Sequence, residues 1–127
     1  MTPEQNAHVK TLVDKKEIFD YVVNHLRQQG TRALNMDLGD CAYRGDDNTM
    51  CAVGCLLADD EYDPCFEGSS ADELELELPH RLRGHMNMLQ SLQLFHDADD
   101  YWDPEETGFS LQGEQQLEAL RGTFGIK

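Results

Sequence analysis

Nine acidic side chains lie between residues 59 and 77 with no Lys or Arg among them: Asp59, Asp60, Glu61, Asp63, Glu67, Asp72, Glu73, Glu75 and Glu77. A second base-free run adds six more, Asp97, Asp99, Asp100, Asp103, Glu105 and Glu106. Together the two runs equal the whole net charge of −15; the remaining acids are matched by the 10 bases. Unpaired carboxylates are not buried, because taking a lone charge out of water costs too much. The core must therefore come from the apolar stretches between and around these runs, and each run follows one. A chain of 127 residues with 39% apolar side chains suits one domain with one core.

The charge also restricts partners. Coating duplex nucleic acid needs clustered Lys and Arg, and so does binding an anionic membrane surface. Neither is expected here. No apolar run approaches the length of a membrane span. The segment Met1-Thr2-Pro3-Glu4-Gln5-Asn6 has neither the basic nor the apolar region of a secretory signal, so a cytoplasmic protein is expected. The acid runs have three readings at this point: solvated loops that keep a small protein soluble, a halophilic surface, or a polyanionic face. Such a face would attract a basic groove on another protein and, at its limit, imitate the phosphate track of DNA.

Periodicity predicts three helices and an α+β domain over 1–127, with 1–12 a flexible lead-in. In the first helix, Ile18, Phe19, Val22, Val23 and Leu26 share a face. Asp14 stands at the N-cap with Glu17 three residues on, and Gly30 takes the left-handed position after the last turn. Cys41–Arg44 and Thr49–Ala52 flank turn chemistry at 45–48 and suit a short antiparallel hairpin or small sheet. Residues 53–57 fit a continued strand or a buried helical turn. Residues 58–68 read as a loop. Leu74-Glu75-Leu76-Glu77-Leu78 alternates as a half-buried strand, ended by Pro79. Leu82, Met86, Leu89, Leu92 and Phe95 give a second helix over 81–96. Tyr101 and Trp102 anchor the acidic loop that follows, and Ser110 caps a third helix carrying Leu117, Leu120 and Phe124.

Chemistry-bearing residues are few. Cys41, Cys51, Cys55 and Cys65 fall within 25 positions and are expected as reduced thiols. A structural zinc site usually pairs its ligands in tight knuckles, and only Cys51 and Cys55 are close, at C-x-x-x-C. Buried thiols are therefore expected and no cofactor; were zinc held, these four cysteines would be its ligands, with His80, His85 or His96 able to replace one. A Cys–His nucleophile pair has no local signature, and there is no G-x-S-x-G, phosphate loop or H-E-x-x-H. Asp97–Asp100 lacks the glycine and terminal Glu of a calcium loop. Tyr43 and Arg44 before a glycine turn could stack a base and hold a phosphate, with Arg81 and Arg83 as further forks.

Cys41-Ala42-Tyr43-Arg44-Gly45, Cys51-Ala52-Val53-Gly54-Cys55-Leu56-Leu57, Asp60-Glu61-Tyr62-Asp63, Glu67-Gly68 and Leu89–Asp97, with Trp102 after it, form one spaced pattern. The pattern resembles a family of small, mostly uncharacterised proteins encoded in tailed-phage and prophage genomes, over about residues 19–124. Asn48, Thr49 and Met50 stand where that family has a glycine and a basic residue. The resemblance carries no catalytic residue. It implies a non-catalytic accessory factor in the host cytoplasm, acting against a host defence. Two modes are expected of it: docking of the acidic face into a basic groove of a defence protein, or sequestration of a nucleotide signal at a homodimer interface by Tyr43, Arg44, Arg81 and Arg83. A small zinc-binding protein is the third reading.

Overall fold

A computed structural model describes residues 1–35, 40–105 and 107–126, with Asp40 described by its backbone alone. The chain is mostly helical, which corrects the expected α+β class. The described residues form five α-helices, α1 (Pro3–Val9), α2 (Lys15–Gln29), α3 (His80–Arg83), α4 (Met86–Asp97) and α5 (Leu111–Phe124), with four 3-10 turns between α2 and α3 and one between α4 and α5. Among the described residues, strand is limited to two-residue segments, β1 (Leu34–Asn35) and β2 (Asp40–Cys41), paired antiparallel with Leu34 opposite Cys41.

α1 replaces the expected flexible lead-in. Its short capping box was legible: the Thr2 hydroxyl accepts from Gln5 N–H, the Gln5 side chain accepts from Thr2 N–H, and Pro3 opens the first turn. Val9 and Leu12 then seat this segment in the core. α2 matches its expectation. The Asp14 carboxylate accepts from Lys16 and Glu17 N–H, Gly30 ends the helix at φ +78°, and the five periodic apolar residues are buried. α5 is capped by Ser110, as its sequence indicates.

The expected hairpin is not formed as a ladder. Residues 41–44 and 49–52 share one isolated bridge, Arg44 opposite Met50. Their other backbone groups have found different partners. Ala42 N–H donates to Ala33, Tyr43 and Arg44 N–H donate to the Glu67 carboxylate, and Met50 exchanges two hydrogen bonds with the Gln29 side-chain amide. Side chains stand where ladder neighbours would. Of the two readings for 53–57, the buried helical turn is the one formed, as a 3-10 turn at Gly54–Leu56.

The Leu74–Leu78 strand is also corrected. A 3-10 turn, Asp72–Leu74, runs into a helical turn in which Leu78 N–H donates to Leu74 O at 3.0 Å. A pleat would bury Leu74, Leu76 and Leu78 together; the i, i+4 turn buries the outer two and leaves Leu76 80% exposed. Leu and Glu both favour helix, and no strand among the described residues pairs with this segment. The helix expected over 81–96 is broken into α3 and α4 at Gly84-His85, where the His85 Nε2 hydrogen-bonds Val13 O at 2.9 Å. Tyr101 and Trp102 do anchor the second acidic segment. Tyr101 stacks on Phe95 at 5.0 Å, and the buried Trp102 donates Nε1–H to His96 O at 2.9 Å.

Candidate functional site

The two acid runs divide into engaged and free carboxylates. Asp59 pairs with Arg44 at 2.6 Å, Asp60 with Lys10 at 2.8 Å, Glu61 with Arg81 at 2.7 Å and Asp99 with Arg32 at 3.1 Å. Hydrogen bonds from Arg44 and Asn6 hold the Asp59 carboxyl below its usual range, and the Lys10 hydrogen bond does the same for Asp60. Glu67 accepts from Tyr43 N–H, Arg44 N–H and the Tyr62 hydroxyl, so it is a structural acceptor. Asp97 is held by His96. By contrast, Asp63, Asp72, Glu73, Glu75, Glu77, Asp100, Asp103 and Glu105 have no ion pair among the described residues, and all but the half-buried Asp103 are exposed. Glu106 lies outside the described residues.

The four residues expected to hold a nucleotide are otherwise engaged. Tyr43 is buried and its hydroxyl donates to Ser69 O. Arg44 reaches Leu57 O at 2.7 Å as well as Asp59, and lies 4.9 Å over the Tyr62 ring. Arg81, its side chain only 9% exposed, donates to Leu56 O and Glu61. Arg83 donates to the carbonyls of Leu78 and Leu76. Two guanidinium groups thus hold the consecutive carbonyls of Leu56 and Leu57. The nitrogens without a partner, Arg44 Nε and Arg81 Nε and Nη1, are buried. No phosphate cradle is formed from these forks.

The cysteines are dispersed by environment. Cys51 and Cys55 are buried, Cys41 is half-buried and Cys65 is exposed. Burial pushes the Cys51 thiol up to about 12 and Cys55 well above its ordinary value. Cys51 Sγ accepts from Gly54 N–H and Cys55 Sγ–H donates to Ala52 O. Among the described residues, one group of ligand-type side chains comes together: Cys41, His96 and Asp97, with donor atoms within 4.8 Å of one another. β2 supplies Cys41 and the last turn of α4 supplies the other two. The sequence offered only the His96-Asp97 dipeptide at the end of an apolar helix face, because Cys41 reaches it across more than fifty residues.

Hydrogen bonding defines what this group can do. His96 is fully buried. Its Nε2 accepts from Ala33 N–H at 2.9 Å, so the ring proton sits on Nδ1, which donates to Asp97 Oδ1 at 2.8 Å. A metal at Nδ1 would move that proton to Nε2, against the Ala33 N–H. Zinc binding is therefore opposed by the backbone that orients the ring. Nor is Cys41 an activated nucleophile: burial and the neighbouring Asp97 carboxylate push its thiol up to about 11. The group instead fixes a carboxylate, since Gln93 Nε2–H also donates to Asp97 Oδ1 at 3.0 Å. Asp97 faces a cavity of about 770 Å³ whose described lining includes Cys41, Tyr43, Glu67, Asp72, Gln90 and Leu94.

Comparison with protein-family models, with curated proteins and with solved structures finds no match. No helix among the described residues is long and apolar enough to cross a membrane.

Proposed function

We propose that this chain is a non-catalytic binding protein whose free carboxylates dock into a basic groove of another protein. The observation that supports this is the division of the acid runs: among the described residues eight carboxylates have no ion pair, while Asp59, Asp60, Glu61, Glu67, Asp97 and Asp99 are held by the fold. Uncompensated like charge lowers stability, so a structural role does not account for it. The unactivated thiols and the orientation of His96 favour binding over catalysis. The occupied forks of Arg44, Arg81 and Arg83 weigh against the nucleotide-sequestering alternative. In the setting that the tailed-phage resemblance implies, the groove belongs to a host defence protein that otherwise holds nucleic acid.

The test is retention of host proteins on the immobilised chain and on a Glu75→Lys, Glu77→Lys, Asp100→Lys, Glu105→Lys variant. The expected result is one protein kept by the native chain at low salt, released at about 1 M salt where charges are screened beyond ~3 Å, and not kept by the variant. Equal retention by a correctly folded variant overturns the reading.

A further inference from the structure

We propose that the cavity between β2, the segment 67–72 and α4 binds a small organic cation, an alkylamine or alkylguanidine, through Asp97 and Asp72. The proposal uses a concave site and none of the four residues reversed in the test above, so either can fail alone. Three observations carry it.

The first is shape. A cavity of about 770 Å³ falls within the range of small-molecule sites. The second is charge. Glu67, Asp72 and Asp97 line it, and no Lys, Arg or His stands among its described lining residues. Arg32 stands at the edge of the cavity with its guanidinium already engaged: it donates to the backbone carbonyl of Asp97 at 3.3 Å and to Asp99 Oδ1, and it is hydrogen-bonded to the Cys41 thiol. A phosphate would meet three carboxylates and no cation among the described lining residues, whereas an ammonium or guanidinium would meet complementary charge.

The third is preorganisation. The Asp97 carboxylate does not hang free on a loop. The buried His96 and the Gln93 amide hold it from one oxygen, His96 being fixed in turn by Ala33 N–H and stacked edge-on against Trp102 at 6.0 Å. A carboxylate held in place before binding loses little freedom when a cation arrives. Asp72 is likewise held, by the Ser70 hydroxyl. Leu94, 70% exposed and in the same lining, supplies apolar surface for a short methylene stem.

Agmatine, which carries a guanidinium and an ammonium on a four-carbon stem, is the probe. Calorimetric titration into the full chain should show one saturable site, and 1,4-butanediol and adenosine monophosphate should show none. Asp72→Asn should weaken agmatine at least tenfold, and so should Asp97→Asn, which keeps the acceptor for His96. Glu77→Gln and Glu105→Gln, outside the cavity, should leave it unchanged. Thermal melts of each variant without agmatine separate misfolding from lost binding, and Asp72 is exposed enough to be replaced without touching the core. Equal weakening by all four variants would place the cation on the diffuse acidic surface and overturn the proposal, as would binding indifferent to Asp72→Asn or no binding at all.

Discussion

Two glycines in α5 face opposite surroundings, and the pair isolates one packing contact. A Cβ on Gly113 would stand 2.2 Å from the Tyr101 carbonyl oxygen, whereas a Cβ on Gly122 would meet nothing within 4 Å. Gly→Ala in a helix gains up to about 1 kcal/mol of propensity. Near the end of α5, Gly122→Ala should gain about half of that. Gly113→Ala receives the same intrinsic gain but forces α5 and the Asp99–Tyr101 turn apart by about 1 Å, and overpacking of this kind costs about 1–3 kcal/mol. The strain also reaches the Ser110 N–H to Tyr101 O bond of 2.9 Å and the Tyr101–Phe95 stack, worth about 0.5–1.5 kcal/mol. The net expectation is a loss of about 2 kcal/mol for Gly113→Ala, set against a small gain for Gly122→Ala. Urea unfolding followed by the fluorescence of Trp102, the only tryptophan, measures both. At a urea slope of about 2 kcal/mol per molar, the midpoints should separate by about 1 M or more. Should Gly113→Ala prove as stable as Gly122→Ala, the close approach of α5 to Tyr101 would be refuted.

Two further outcomes follow from titratable groups. Cys65 and then Cys41 should react with a thiol reagent in the native protein, Cys41 slowly at pH 8 and about tenfold faster per pH unit towards 11, while Cys51 and Cys55 react only in denaturant; rapid labelling of Cys51 or Cys55 under native conditions would contradict the packing. Burial lowers the pKa of His25 from 6.5, against the opposing hydrogen bond of its ring to Met50 O. The unfolded chain then binds a proton more readily than the folded one, so His25 contributes full stability above pH 6.5 and loses it as pH falls through the lower folded value. Replacing His25 with Gln should flatten stability against pH below 6.5, and an unchanged slope would show that another group sets it.

What was legible in the sequence was local. α2 and α5 declare themselves by Asp14, Gly30 and Ser110, whose caps are short-range hydrogen bonds between near neighbours. The capping box at Thr2 and Gln5 was equally present, yet a seven-residue helix has too few apolar positions for a period to emerge. Leu74–Leu78 misled because alternation of residue types gives neither the exposure of Leu76 nor the backbone hydrogen bonds that decide between pleat and turn. The cavity was least legible. Ala33, Cys41 and His96 meet only through tertiary folding, and the tautomer of His96 is set by a backbone N–H sixty-three residues away. The acid runs were visible at once, but which carboxylates were already paired depended on Lys10, Arg32, Arg44 and Arg81, all of them more than a dozen residues distant.

The lone bridge between Arg44 and Met50 has a consequence for association. Extended segments with bare outer edges are templates on which another chain can lay a strand. Here Gln29 closes the Met50 edge with a reciprocal pair of bonds at 2.8 and 3.0 Å, and Glu67 closes the Tyr43–Arg44 edge with one oxygen on each N–H. Replacing either side chain with alanine would uncover the backbone and open an edge to strand exchange between copies. These two polar side chains therefore occupy the backbone groups that an added strand would use.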